Sequence, residues 1–160
     1  MQFGSGDFVK LFSDFGETEA FELVPAVRHP DGSCIEEQNC DFEKATVCAF
    51  DNSTVKAQVD FLACMDEQRD VQALPASRAC APKAGLEFSA IAACFNSDHG
   101  EELLEVASKK WNKQFPGPST VPHTFVNNAD VQPTYLQLKQ ALCADGSLAP
   151  VCSGASQCTI

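Results

Sequence analysis

The sequence predicts one disulfide-stapled α/β domain, helical through its middle and ending in a short hairpin followed by a helix. Three observations lead there. The chain has 160 residues, the size of one domain built on one core. Nine of them are cysteines (Cys34, Cys40, Cys48, Cys64, Cys80, Cys94, Cys143, Cys152 and Cys158), too many to be incidental buried thiols of an ordinary cytosolic protein. Apolar residues recur at helical spacing along most of the chain, and only two short stretches read as strands.

Hydrophobic residues make up 44% of the chain, with twelve Phe, and charged residues 21%, which supplies a core and sets the chain apart from a disordered tail. Eleven Lys and Arg against 22 Asp and Glu give a formal charge of -11. Most of such a surface repels a phosphate backbone, so nucleic acid is not an expected partner.

Taken in order, Phe8, Leu11, Phe12 and Phe15 fall at i, i+3, i+4 and i+7 with Gly16 beyond them, which predicts a helix over 6–15 with a glycine stop. Phe21 to Val24 is strand-like and stops at Pro25. His29-Pro30-Asp31-Gly32-Ser33 is a turn cluster leading into a polar loop from Cys34 to Cys40. Helix is expected from Asp41 to about Asp51, again from Val55 through Cys64 with Val59 and Leu62 inward, and over Leu86 to Cys94. A further helix follows Asp98 as N-cap, with Leu103, Leu104, Ala107 and Trp111 on one face; Phe115-Pro116-Gly117-Pro118 ends it. Val121 to Asn128 is β-rich and closes on an Asn-Asn pair suited to the positive φ angles of a tight hairpin. Pro133 opens the last helix, with Tyr135, Leu136, Leu138, Ala141 and Leu142 on its buried side and Cys143 at its end. Residues 144–160 would fray unless Cys152 and Cys158 hold them.

The gaps between cysteines contain no Cys-x-x-Cys, and His29, His99 and His123 are not spaced as metal ligands; no metal site and no cofactor is expected, and disulfides are. The odd count leaves at least one thiol free or joined to another chain. Spacing does not choose the pairing, except that Cys40 and Cys48, at the two ends of one helix, lie about 12 Å apart and cannot reach each other. Such a framework places the chain in an oxidising lumen or outside the cell. Asn52-Ser53-Thr54 is an N-glycosylation sequon that agrees with this route; alternatively Asn52 or Ser53 caps the helix that follows. No apolar run approaches the ~20 residues of a membrane span. Met1-Gln2-Phe3-Gly4 has neither the basic nor the apolar region of a signal peptide, so a processed or incomplete N-terminus is expected. Glu101, Glu102 and Glu105 read as a solvated helix face, Trp111 as a core residue, His123 as a strand residue with a partly buried ring, and Cys64, Cys80 and Cys94 as structural.

The order helix, strand, helical insertion, helix, X-Pro, hairpin, helix is the trailing part of a thioredoxin-like domain. The stretch Cys34-x5-Cys40-Asp41-Phe42-Glu43-Lys44-x3-Cys48, followed by Phe61-Leu62-Ala63-Cys64-Met65-Asp66-Glu67, resembles the cysteine-rich signature of the gamma-interferon-inducible lysosomal thiol reductase family. The resemblance continues through Cys80, Ile91-x2-Cys94, Gly100-x2-Leu103-Leu104, Val121-Pro122 ahead of Val126-Asn127, and Cys143, so it covers most of the chain. It implies a thioredoxin-like sheet over residues 1–143 with a cysteine-rich helical insertion at about 34–112, a tail over 144–160 held by cysteines, and Pro122 as the cis-proline facing a redox site. The sequence departs from the family pattern in five respects. Ile35-Glu36-Glu37 stands where the family carries Gln-His-Gly, Glu43 where it has Asn, and Asn128 where it has Gly. Residues near Gln2 and Ser5 stand where the catalytic Cys-x-x-Cys belongs, and the first strand of the sheet is missing.

Thiol-disulfide exchange needs a thiolate and a second, resolving thiol, and neither Gln nor Ser supplies one. The expectation is therefore a non-catalytic thioredoxin-like subunit, without catalytic residues, that binds a protein partner or joins a larger assembly in a lumen, including one peripheral to a membrane complex. The alternative is a thiol reductase whose Cys-x-x-Cys lies upstream of Met1.

Overall fold

The computed structural model describes residues 6–27, 40–68, 71–115 and 123–153. The turn cluster at 29–33, Cys34, Pro122 and Cys158 lie outside them, as do Gln2 and Ser5. The chain divides into two compact units, one over Glu22–Ser119 and one formed by Gln2–Phe21 with Thr120–Ile160.

The first unit is helical: α2 (Asp41–Phe50), α3 (Val55–Asp66), α4 (Ala73–Cys80), a 3-10 turn (Pro82–Ala84), α5 (Phe88–Phe95) and α6 (Asp98–Gln114). Helix α2 is its centre and packs against α3, α4, α5 and α6. Its residues explain why so many neighbours fit: Ala45, Thr46, Cys48 and Ala49 are small and buried, so helix axes approach closely. The Thr46 hydroxyl is satisfied by donating to the Phe42 carbonyl at 2.8 Å. Cys48, Phe61, Met65, Ala76 and Ile91 form one cluster, and Val27, Val47, Leu104 and Ala107 another.

All five expected helices of the chain's first 115 residues recur here or in α1 with boundaries within about two residues, and α4 is an addition. Its inward face is Ala73, Ala76, Ser77 and Cys80, a helical i, i+3, i+4, i+7 stripe too small and polar to stand out as apolar, with Pro75 accommodated in the first turn, where an N–H has no helical partner. Buried Ser77 donates to the Ala73 carbonyl at 2.7 Å. Two caps differ from expectation. Thr54, not Asn52 or Ser53, is the N-cap of α3, its side-chain oxygen accepting from the Ala57 N–H. Ser97 occupies the N-cap of α6, and Asp98 is the first helical residue. On α6, Leu104, Ala107 and Trp111 are buried as the periodicity requires.

The second unit contains α1 (Asp7–Phe15), a hairpin of β1 (Thr124–Val126) and β2 (Ala129–Val131), α7 (Tyr135–Ala144) and α8 (Pro150–Ser153). The strands pair antiparallel, Thr124 opposite Val131 and Val126 opposite Ala129. Asn127 and Asn128 turn the hairpin with φ of 47° and 68°, the left-handed pair that matches the twist of the strands. Leu11 and Phe15 of α1 pack with Leu138 of α7 and Ala149, and the Tyr135 hydroxyl donates to Asp14 at 2.6 Å.

The described sheet is this two-stranded hairpin; the larger sheet of the expected α/β domain is not among the described residues. Phe21 to Val24 is not a strand. A strand needs a partner to bond its backbone, and none of the described strands pairs with it; Phe21 instead meets Phe8 and Phe12 edge-on, with ring centroids 6.0 and 5.4 Å apart. Gly16 ends α1 without adopting a left-handed turn: its φ is -63°, and glycine is required because a Cβ would sit 2.5 Å from the Phe12 carbonyl oxygen. Thr134, rather than Pro133, caps α7 and accepts from Gln137 N–H. With Tyr135 and Leu138 inward, Leu136 falls off the stripe and is 59% exposed, against its expected burial. No helix among the described residues is long and apolar enough to cross a membrane.

Candidate functional site

The chemistry-bearing residues of this chain are its cysteines, and each described one is bonded. Cys48 on α2 pairs with Cys94 on α5, Cα atoms 5.7 Å apart. Cys64 on α3 pairs with Cys80 at the end of α4, at 5.5 Å. Cys143 at the end of α7 pairs with Cys152 on α8, at 5.3 Å. Cys40 is also disulfide-bonded, and not to Cys48, as their separation along one helix requires. Disulfides are therefore present as expected, and in the second unit one of them ties α8 to the end of α7.

Burial decides what these bonds can do. Cys80 is fully buried, and Cys48 and Cys64 are 5% and 6% exposed. Exchange proceeds by attack of a thiolate along an open path to a sulfur, so the Cys64–Cys80 bond inside the helical unit is inert. Cys48–Cys94 closes a long span, fixing α5 on α2. Cys143 and Cys152 are only partly covered; Cys143 sits at the C-terminus of α7, whose negative end does not favour a thiolate.

Charged groups tie the N-terminal end of α6 to α2 and to the Asp51 C-cap that follows it. Lys44 Nζ donates to Glu101 at 2.6 Å. It crosses directly over Gly100: a Cβ there would meet Lys44 Cε at 2.7 Å and the Cys94 carbonyl oxygen at 2.6 Å, so glycine is demanded by close approach. His99 Nε2 donates to Asp51 at 2.8 Å, and this hydrogen bond holds the imidazole pKa above its ordinary value, with the charges of Asp51 and Glu102 adding to it. Glu105 pairs with Lys109 at 2.6 Å. Glu101 and Glu105 are thus exposed partners of Lys44 and Lys109, and exposed Glu102 lies 3.9 Å from His99 Nδ1. Among the described residues no group of three or more His, Cys, Asp or Glu side chains could hold a metal ion.

Glu43, where the resembled family carries Asn, is 3% exposed on α2. Trp111 is buried and lies 4.5 Å from the Phe115 ring. His123 is half-buried immediately before β1, its ring stacked over Phe125 and its Nδ1 3.6 Å from Asp130. Pro122, expected to face a redox site, is outside the described residues, so His123 is the described residue next to that position.

Asn52 is exposed on the turn between α2 and α3, with φ of 56°. The Lys44–Glu101 and His99–Asp51 contacts, and the capping role of Thr54, went unread in sequence. The pairs are 57 and 48 residues apart and leave no local spacing signal; Thr54 could have been found, because it directly precedes the first helical residue.

No known protein family, curated protein or solved structure matches this chain.

Proposed function

We propose that this chain is a non-catalytic, disulfide-stapled module that serves as a structural or binding subunit in a protein assembly of an oxidising lumen. The observation that carries the reading is the state of the cysteines. All seven described ones are bonded, and the three assigned pairs tie helix to helix across one unit or hold the end of the other. A set of bonds that closes the core restricts the unfolded chain; it offers no thiolate to a substrate. Compartments that keep thiols reduced do not sustain such a frame.

A second reading is kept because one observation favours it. Helix α1, the hairpin and α7 pack as one unit, which is the helix-hairpin-helix remainder that a thioredoxin-like domain would present, and a Cys-x-x-Cys ahead of α1 would then make the protein a thiol reductase of the kind its cysteine pattern resembles. The helical unit would be its insertion.

One measurement separates the two: intact mass of the protein purified from its source, with thiol alkylation before and after reduction. The structural reading expects at most one thiol open to alkylation before reduction, and no turnover of a disulfide substrate. A heavier protein with two further thiols that cycle between open and protected, together with turnover, overturns it in favour of the reductase.

A further inference from the structure

We propose that Asn52 carries an N-linked glycan, attached before α3 is capped, and that the turn between α2 and α3 is shaped to display it. The inference rests on the reading that the chain passes through an oxidising lumen, and goes beyond it by assigning a modification to one atom, Asn52 Nδ2.

Asn52-Ser53-Thr54 is the one Asn-x-Ser/Thr sequence in the chain, and a sequon is used only where the asparagine is accessible. Asn52 is exposed, and its side chain makes no hydrogen bond among the described residues. Its φ of 56° is a left-handed conformation that asparagine tolerates better than most residues. The backbone around it is held: Ser53 N–H and Oγ both bond to the Phe50 carbonyl oxygen, at 3.2 and 3.0 Å, and Gln58 reaches back to the Ser53 carbonyl. A sugar on Asn52 would leave from the rim of a rigid turn and displace none of these bonds.

The hydroxyl that a transferase must recognise is that of Thr54, and in the folded protein it is already committed as the N-cap of α3. Transfer to the folded turn would have to break that cap. The order of bond formation removes the conflict. Cys64, on the capped helix itself, bonds to Cys80, 28 residues after Asn52 (80 minus 52). At about 5–20 residues per second of synthesis, the sequon emerges roughly 1–6 s before α3 can be locked. In that interval Asn52 Nδ2 loses one proton and forms a bond to the anomeric carbon of an oligosaccharide carried on a lipid diphosphate; the bond from that carbon to the diphosphate oxygen breaks, the diphosphate leaves with its electron pair, and the proton passes to the transferase base. Capping by Thr54 then follows.

The test expresses the chain behind a secretion leader in a eukaryotic host, and reads mobility before and after peptide N-glycosidase, with disulfides scored on the same samples under non-reducing conditions. Thr54→Ser keeps both sequon and cap. Thr54→Asp keeps a good cap and destroys the sequon. Asn52→Gly keeps the left-handed turn and destroys the sequon. Wild type and Thr54→Ser are expected to show a glycosidase-sensitive band, and Thr54→Asp and Asn52→Gly to lose it completely, all four retaining their disulfides. A wild-type band that the glycosidase does not shift overturns the glycosylation; if its cysteines are bonded the lumenal reading stands, and if they are open it falls too. A sensitive band that survives Asn52→Gly also overturns the assignment.

Discussion

Replacing the Cys48–Cys94 bond by alanines at both positions should destabilise the helical unit more than the same replacement at Cys64–Cys80. The pairs span 46 and 16 residues. Loop closure in the unfolded chain then contributes about 4 kcal/mol for the long span and about 3 kcal/mol for the short one, a difference of about 0.9 kcal/mol from the logarithm of the two lengths. Both sites are largely buried in the same cluster of helices, so the small voids left by Cys→Ala largely cancel in the comparison. Trp111 is the one tryptophan and is buried on α6, which makes its fluorescence a local probe of this unit. Urea unfolding followed at Trp111 should give midpoints in the order wild type, then the Cys64/Cys80 variant, then the Cys48/Cys94 variant. The variants' m-values should rise, because a less cross-linked unfolded chain exposes more surface. A larger loss from the Cys64–Cys80 replacement, or a loss below about 1 kcal/mol for Cys48–Cys94, would refute loop closure as the source of the stabilisation.

Gly100→Ala should cost about 1–3 kcal/mol, read by the same unfolding assay, because the new Cβ meets the Cys94 carbonyl oxygen at 2.6 Å and backbone cannot swing aside; an unchanged midpoint would refute the close approach. His99 gains its hydrogen bond to Asp51 in the folded state and its pKa is raised from 6.5. Its contribution is therefore fully present below about pH 6.5 and is lost as pH rises through the higher folded value, so the wild-type advantage over His99→Gln should shrink as pH rises above 6.5, read from unfolding midpoints taken at a series of pH values. At the hairpin, Asn128→Val should lose about 1–2 kcal/mol, since φ of 68° is costly for a branched side chain. Asn128→Gly should hold or gain slightly, both read by thermal unfolding.

How much of this was legible in the sequence follows the range of the interactions. Helices α1, α2, α3, α5, α6 and α7 were readable because an amphipathic stripe is written within a dozen residues, and the Asn127-Asn128 turn because two consecutive residues must both accept positive φ. Helix α4 was not, because its inward stripe of Ala73, Ala76, Ser77 and Cys80 is small and polar, and only packing against α2 and α3 gives it a reason to form. The strand expected at Phe21–Val24 failed for the complementary reason: local β preference does not supply the partner that a strand's backbone requires, and Phe21 is used in an aromatic cluster instead.

The cysteines divide the two sources of information most clearly. Their number, the absence of a Cys-x-x-Cys, and the bar on a Cys40–Cys48 bond are properties of the sequence, because composition and the rise of a helix are local. The choice of Cys94 for Cys48 and of Cys80 for Cys64 belongs to the tertiary structure, since a disulfide requires Cα atoms within about 7 Å and only the packing of α5 on α2 and of α4 against α3 brings them there. The same holds for the charges: Glu101 read as part of a solvated acidic face and His99 only as a histidine not spaced as a metal ligand, yet they meet Lys44 and Asp51. Sequence determined which groups were available, and the packing of small-faced helices around α2 decided which of them meet.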